Sequence, residues 1–255
     1  MRINGGSIND AIVDLNVIKS INKNYTDKKF IVEAINRQDL TTLRDLSMVY
    51  YKTSGIYQRS VKYLSTLYRY DWLLIPYIDD GANVNKALAD FAKASRYYDN
   101  SYIPKICGEI ALKTIINGIY YGYVLDNGDG LAIQELPIEY CRSRFSANGN
   151  PIVEFNMKYF DKAFPDLEYR VKILNVFPQE FSKGYLLYKQ GKLPPQFQGD
   201  TEGWYMLDAG GAFKISCGHE DFPLLITAIP AIIDLDNAKE LDRQKTMQKL
   251  LKIFV

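Results

Sequence analysis

Apolar positions along this 255-residue chain change period several times, and each change marks an expected element. Residues 1–28 are polar and Asn-rich, with a weak apolar alternation at Ile8, Ile12, Leu15 and Ile18. They read as an irregular or loosely helical arm that needs a partner to order it. A short helix is expected over 28–36. Asp39 can cap a second helix, striped by Leu40, Leu43, Leu46 and Tyr50. Ser54 can cap a third, starting at Gly55, in which Ile56, Ser60, Tyr63, Leu64 and Leu67 recur at helical spacing and predict the buried face. After Asp71, Trp72, Leu73, Leu74 and Ile75 form an apolar run ended by Pro76, expected as a buried strand or extended segment. An amphipathic helix is expected over 84–97 with Leu88, Phe91 and Ala92 inward, and a longer one over 102–120 carrying Ile106, Ile110 and Ile116.

From Tyr121 the period drops to two. Tyr121, Tyr123 and Leu125 alternate, Asn127-Gly128-Asp129-Gly130 supplies turn chemistry, and Leu131, Ile133 and Glu135 return, which predicts an antiparallel hairpin. A second hairpin is expected from 140–145 and 152–157 across Asn148-Gly149-Asn150-Pro151. A helix over 179–188 should turn Phe181, Tyr185 and Leu186 inward, and Leu193-Pro194-Pro195 is a rigid loop. Residues 204–207 and 212–216 flank Ala209-Gly210-Gly211 and read as one more hairpin. From Leu224 the chain is helical, kinked at or starting from Pro230. One apolar face, Ile229, Ile232, Ile233, Leu235, Ala238 and Leu241, is expected to pack on the chain's own subunit; a later one comprises Met247, Leu250, Leu251 and Phe254; Asp242-Arg243-Gln244-Lys245-Thr246 is a polar waist between them. The fold class is α+β: an N-terminal arm (1–28), a helix-rich domain with short antiparallel hairpins (29–228), and a long terminal helix (229–255).

Composition narrows the functional classes. Hydrophobic residues make up 47% and charged residues 24%, the mix of an ordinary globular protein. Lys and Arg total 31 against 30 Asp and Glu, which argues against a protein that wraps nucleic acid with a basic surface, though not against one that lets it pass. The 20 tyrosines fit wet, specific protein–protein contacts, and equally a low-GC coding sequence. Cys107, Cys141 and Cys217 are too widely spaced for a compact zinc clip, and an odd count makes a poor disulfide framework; a reduced compartment is the simpler reading. No apolar run reaches membrane-spanning length and no signal-peptide core is present at the start.

Catalytic signatures are sparse. The single histidine, His219, stands in Cys217-Gly218-His219-Glu220-Asp221, too compact to build a tetrahedral metal site without distant ligands. Nothing local supports pairing Cys107 or Cys141 with His219 as nucleophile and base. Asp126, Asp129 and Glu135 could hold a divalent cation, but turn chemistry already explains them. No Gly-rich phosphate loop leads into Lys-Ser or Lys-Thr. No catalytic, cofactor or metal residue is therefore assigned.

The order of blocks carries more information than any one residue. Leu43-Arg44-Asp45-Leu46-Ser47 precedes Tyr50-Tyr51, Ser54-Gly55, Tyr57 and Tyr63-Leu64; Tyr70-Asp71-Trp72 and Pro76 follow. A second group runs from Lys113 to Gly118, then Tyr120-Tyr121-Gly122-Tyr123, the Asn127–Gly130 turn, Ile133, Leu136-Pro137, Tyr140-Cys141-Arg142, Val153-Glu154-Phe155 and Tyr159-Phe160-Asp161. From about Gln38 to Val255 this succession resembles the N-terminal half of the portal proteins, the head-to-tail connectors, of tailed bacteriophages. The resemblance implies a wing-like domain over 29–228 and the start of a stem-type helix at 229–255. It implies a ring-shaped homo-oligomer, usually a dodecamer, at one capsid vertex of the virion, assembled in the host cytoplasm. Double-stranded DNA is packaged and ejected through the ring. Expected partners are the terminase, major capsid or scaffolding protein, and head–tail connector proteins; no membrane and no catalysis are implied. Portals continue through a clip, a second stem helix and a crown, so the resemblance also implies a chain longer than this one. Asp242, Arg243, Lys245 and Lys249 are the candidate subunit-contact or channel-facing residues. Two alternatives stay open: a nucleic-acid-modifying phage enzyme using Asp126, Asp129, Glu135 and His219, and a monomeric interaction module.

Overall fold

The computed structural model describes residues 23–67, 73–78, 81, 83–126, 128, 130–147, 149–218 and 220–253, with side chains from 25 to 249. Residues 1–22 of the expected arm, Tyr70-Asp71-Trp72, Asn127, Asp129, Asn148, His219, Phe254 and the side chains of Leu250 and Leu251 lie outside the described residues. The architecture is α+β. In chain order it comprises α1 (Lys28–Asn36), α2 (Leu40–Thr53), α3 (Gly55–Leu67), α4 (Val84–Asn100), α5 (Ile103–Asn117), β1 (Ile119–Asp126), β2 (Leu131–Glu135), β3 (Cys141–Ala147), β4 (Asn150–Asn156), α6 (Lys158–Ala163), α7 (Leu167–Val176), α8 (Gln179–Lys189), β5 (Trp204–Met206), β6 (Ala212–Ser216) and α9 (Ile229–Ile253). The chain divides into two compact units. One unit gathers 1–68, 111–118 and 217–255; the other holds 69–110 and 119–216.

In the first unit, capping chemistry sets the helix starts. The Asp27 carboxylate accepts from Lys29 N and the Asp39 carboxylate from Thr42 N, closing orphan donors of α1 and α2. The core joins Ile31, Leu43, Leu46, Tyr57, Val61, Ile115, Ile116, Ile226, Ile229, Ile232 and Ile233. The buried face of α3 differs from the one its sequence predicts. Tyr57, Val61 and Ser65 face inward, while Ile56, Tyr63 and Leu67 are exposed. The Tyr57 hydroxyl explains this: it sits 2.8 Å from the Ser47 hydroxyl on α2, so the ring is buried with its polar end satisfied. Gly118 ends α5 at φ +80°, and a Cβ there would lie 2.1 Å from the Asp221 carbonyl oxygen; only glycine fits this crossing. Around it Gly118 O accepts from Cys217 N at 2.9 Å, and Ile115 O from Leu224 N at 3.0 Å.

The second unit carries two three-stranded antiparallel sheets, ordered β2-β1-β6 and β3-β4-β5. The two expected hairpins are present, with Leu125 opposite Ala132 and Phe145 opposite Ile152. The third is not: β5 pairs with β4 and β6 with β1, so the 208–211 turn carries the chain from one sheet to the other. Asp208 N donates to the Glu180 carboxylate at 2.7 Å, Gly211 O accepts from Val124 N at 2.8 Å, and the Tyr123 ring lies where a Gly211 Cβ would stand. These contacts fix the turn against α8 and β1 and keep β5 and β6 from pairing. Phe155 on β4 centres the core, with Phe181, Tyr159 and Phe160 edge-on or tilted against it at 5.2–6.0 Å. The α7 helix, Leu167–Val176, carries no clean period in its sequence and was not expected.

Three further expectations are corrected here. Leu73, Ile75 and Tyr77 are 73–88% exposed, so this part of the apolar run is not buried. The α4 helix buries no residue; Leu88 and Ala92 are exposed and Phe91 is half-buried, because few elements pack on it. Leu186 on α8 is exposed, while Phe181 and Gly184 hold that helix to the core.

Candidate interaction surface on the C-terminal helix

The four candidate residues lie on α9, a 25-residue helix about 37 Å long at 1.5 Å per residue. Its start is seated by apolar burial: Ile229, Ile232 and Ile233 are buried, next to Ile226 in the preceding turn. Pro230 fits because a helix's first turn has no internal acceptor for its N–H groups.

Every residue from Asp234 to Lys249 is exposed. The expected self-packing of Leu235, Ala238 and Leu241 is therefore corrected; Leu235 is 44% and Leu241 56% exposed. The reason is legible by continuing the buried isoleucine stripe at helical spacing. It meets Asp236, Glu240 and Arg243 before an apolar residue returns at Met247, itself exposed.

Asp242, Lys245 and Lys249 follow Leu235 and Ala238 at spacings of three and four, so these five share one stripe. Arg243 falls on the continuation of the isoleucine stripe, away from the other three candidates. Its Nε lies 3.5 Å from Glu240, which also accepts from Gln244 Nε2 at 3.3 Å; Thr246 Oγ1 donates to Asp242 O at 2.8 Å. Lys239 lies 3.8 Å from Asp236, and Asp234 pairs with Lys28. These exposed pairs each contribute only a few tenths of a kcal/mol, about 0.3–0.5.

The sequence reading missed Asp234, Asp236 and Glu240. Their signal is a reversal of sign: acids dominate 234–242, whereas Arg243, Lys245, Lys249 and Lys252 follow with no acid after them. This order agrees with the helix dipole. It also makes the helix electrostatically self-complementary, since the acidic part of one copy suits the basic part of another.

Of the residues of the enzyme alternative, Asp129 and His219 lie outside the described residues, and the other two stand apart. Asp126 pairs opposite Leu131 and Glu135 opposite Gly122, at opposite ends of the β1–β2 hairpin, about 13 Å apart along the strand. Among the described residues, no three His, Cys, Asp or Glu side chains are grouped to hold a metal ion. Cys107 is exposed; burial pushes the Cys141 and Cys217 thiols up, and Cys217 Sγ lies 3.3 Å from Thr114 O. Among the described residues no helix is long and apolar enough to cross a membrane. No protein-family model, curated protein or solved structure matches the chain.

Proposed function

We propose that the chain is a ring-forming portal protein, the structural subunit of a tailed-phage capsid vertex through which double-stranded DNA is packaged and ejected. The observation that carries this reading is the exposure of α9 from Asp234 to Lys249 together with its reversal of charge. A helix exposed on all sides over sixteen residues gains little from its own fold and acquires its stability from a partner. In a ring, identical copies of α9 meet around an axis, and the acidic part of one can face the basic part of its neighbour. The succession of blocks from Gln38 onward supports the same reading. So does the near-neutral balance of 31 basic and 30 acidic residues, because a channel that gripped phosphates would hold the DNA it must release. In this role the partners are other copies of the chain, terminase, capsid or scaffolding protein, head–tail connectors and passing DNA.

Reversing Arg243 and Lys245 together tests the reading. R243E/K245E cancels the net charge of the basic part of α9, setting two acids against Lys249 and Lys252, without touching a buried residue. Ring assembly is expected to be lost while the circular dichroism and melting point of the subunit stay unchanged. A double variant that assembles and packages DNA normally refutes it.

A further inference from the structure

Residues 193–203 form a loop closed at its base by Gly203 N donating to Leu193 O at 3.0 Å, with Gly203 O accepting from Met157 N at 2.8 Å. Near the base, Asn156 Nδ2 reaches Thr201 Oγ1 at 3.4 Å and Lys158 lies 3.3 Å from Glu202. The tip, 194–199, is exposed throughout. Two side chains tie this tip down, Phe197 and Asp200, held in one turn by Asp200 N donating to Phe197 O at 3.0 Å. Arg144 lies over the Phe197 ring at 4.4 Å, and Phe145 packs beside it at 6.3 Å. Arg142 donates to both oxygens of Asp200 at 2.8 and 3.0 Å, and Arg144 adds a bond at 3.0 Å.

Both arginines are held in place without Asp200. Each donates two bonds to the fully buried Glu154, and Arg142 stacks on Trp204 at 3.7 Å. Glu154 cancels one of the two positive charges. The remaining charge and the remaining N–H groups face Asp200, which fills a seat shaped for a single carboxylate.

We propose that Arg142 and Arg144 form a docking seat for an acidic peptide turn of the form aromatic-x-x-acid, and that the chain's own Phe197-Gln198-Gly199-Asp200 turn occupies this seat as an autoinhibitory strap. The seat recognises one carboxylate through two guanidinium groups and one aromatic ring through the face of the Arg144 guanidinium and the tilted ring of Phe145. A partner that presents the same pair displaces the strap tip, while the base of the loop stays closed at Gly203. Because the strap is tethered, it competes at an effective concentration in the millimolar range. A free peptide therefore binds the intact protein far more weakly than a protein whose strap lacks its two anchors.

The test uses the full chain with F197A/D200A substitutions and a synthetic peptide of residues 194–202, followed by fluorescence anisotropy. The expected result is saturable binding to F197A/D200A, at least 100-fold weaker binding to the wild type, and loss of binding when the peptide's acid is changed to its amide. R144A added to F197A/D200A should also abolish binding, with circular dichroism confirming that each variant is folded. A folded F197A/D200A protein that does not bind the peptide overturns the proposal, as does equal binding by the acid and amide peptides. Ring formation is not read in this assay, so its outcome is separate from that of the portal reading.

Discussion

Glu154→Gln is the sharpest perturbation of the second unit. The Glu154 side chain is fully buried and accepts from Arg142 Nε at 2.9 Å and Nη2 at 3.4 Å, and from Arg144 Nε at 2.9 Å and Nη2 at 3.1 Å. Glutamine keeps the volume but turns one acceptor oxygen into a donor NH2 that points at two donors. It also removes the negative charge between two guanidinium groups. Breaking a buried pair in this way costs about 3–5 kcal/mol. Arg142 and Arg144 are 19% and 29% exposed and gain some hydration, which favours the lower end, about 3 kcal/mol. Against a typical total of about 5–15 kcal/mol this is a large loss. At roughly 2–4 °C per kcal/mol for a chain of this size, the melting point should fall by about 6–12 °C. The assay is thermal unfolding, followed by near-ultraviolet circular dichroism and by calorimetry, at pH 7. A melting point within about 2 °C of the wild type refutes the reasoning, since it means the four bonds give no net stability over their hydrated equivalents.

Other perturbations follow from the same geometry. Gly118→Ala forces a Cβ to 2.1 Å from the Asp221 carbonyl oxygen at a positive φ, so it should unfold or strongly destabilise the first unit in a urea titration; a midpoint equal to wild type contradicts the crossing. Tyr57→Phe removes the 2.8 Å bond to Ser47 and should cost about 1 kcal/mol, and a double-mutant cycle with Ser47→Ala should recover a coupling of similar size. Acid should destabilise the fold in a defined window. Arg142 and Arg144 hold the Asp200 carboxyl below its usual value; burial alone would raise Asp161, but bonds from Lys189 and Tyr185 and the Arg170 charge outweigh it and leave it lowered. A lowered folded value means the stabilisation is full above the ordinary carboxyl range near pH 4 and is lost as pH falls through the folded values. Asp200→Asn should flatten the fall in melting point below about pH 4 compared with wild type, and an unchanged slope counts against this assignment.

Local chemistry was legible in the sequence and long-range pairing was not. The hairpins of β1–β2 and β3–β4 could be read because glycine-containing turns and two-residue alternation act over a few neighbours. The caps Asp27, Asp39 and Asn83 use bonds within three residues, and Asp39 was named from sequence alone. The inward face of α3 was misread because its deciding contact is made by Ser47, on another helix. The switch of sheet between β5 and β6 depends on Glu180 and Tyr123, far away in the chain. Asp200 sits in a loop with no period at all, so nothing local marks it as the partner of Arg142. On α9 the polar waist was visible, but the point where burial stops, after Ile233, was set eight residues too late because Leu235, Ala238 and Leu241 look apolar whether or not anything covers them.

The central claim is that this chain closes into a ring. Mass photometry of the purified chain, with negative-stain imaging of the same sample, tests it most directly. The account predicts closed rings of one size with a central opening, near 350 kDa for about twelve copies of a 29.2 kDa chain, lost in R243E/K245E. A single species at 29.2 kDa, with no rings in the images at any concentration tested, contradicts it.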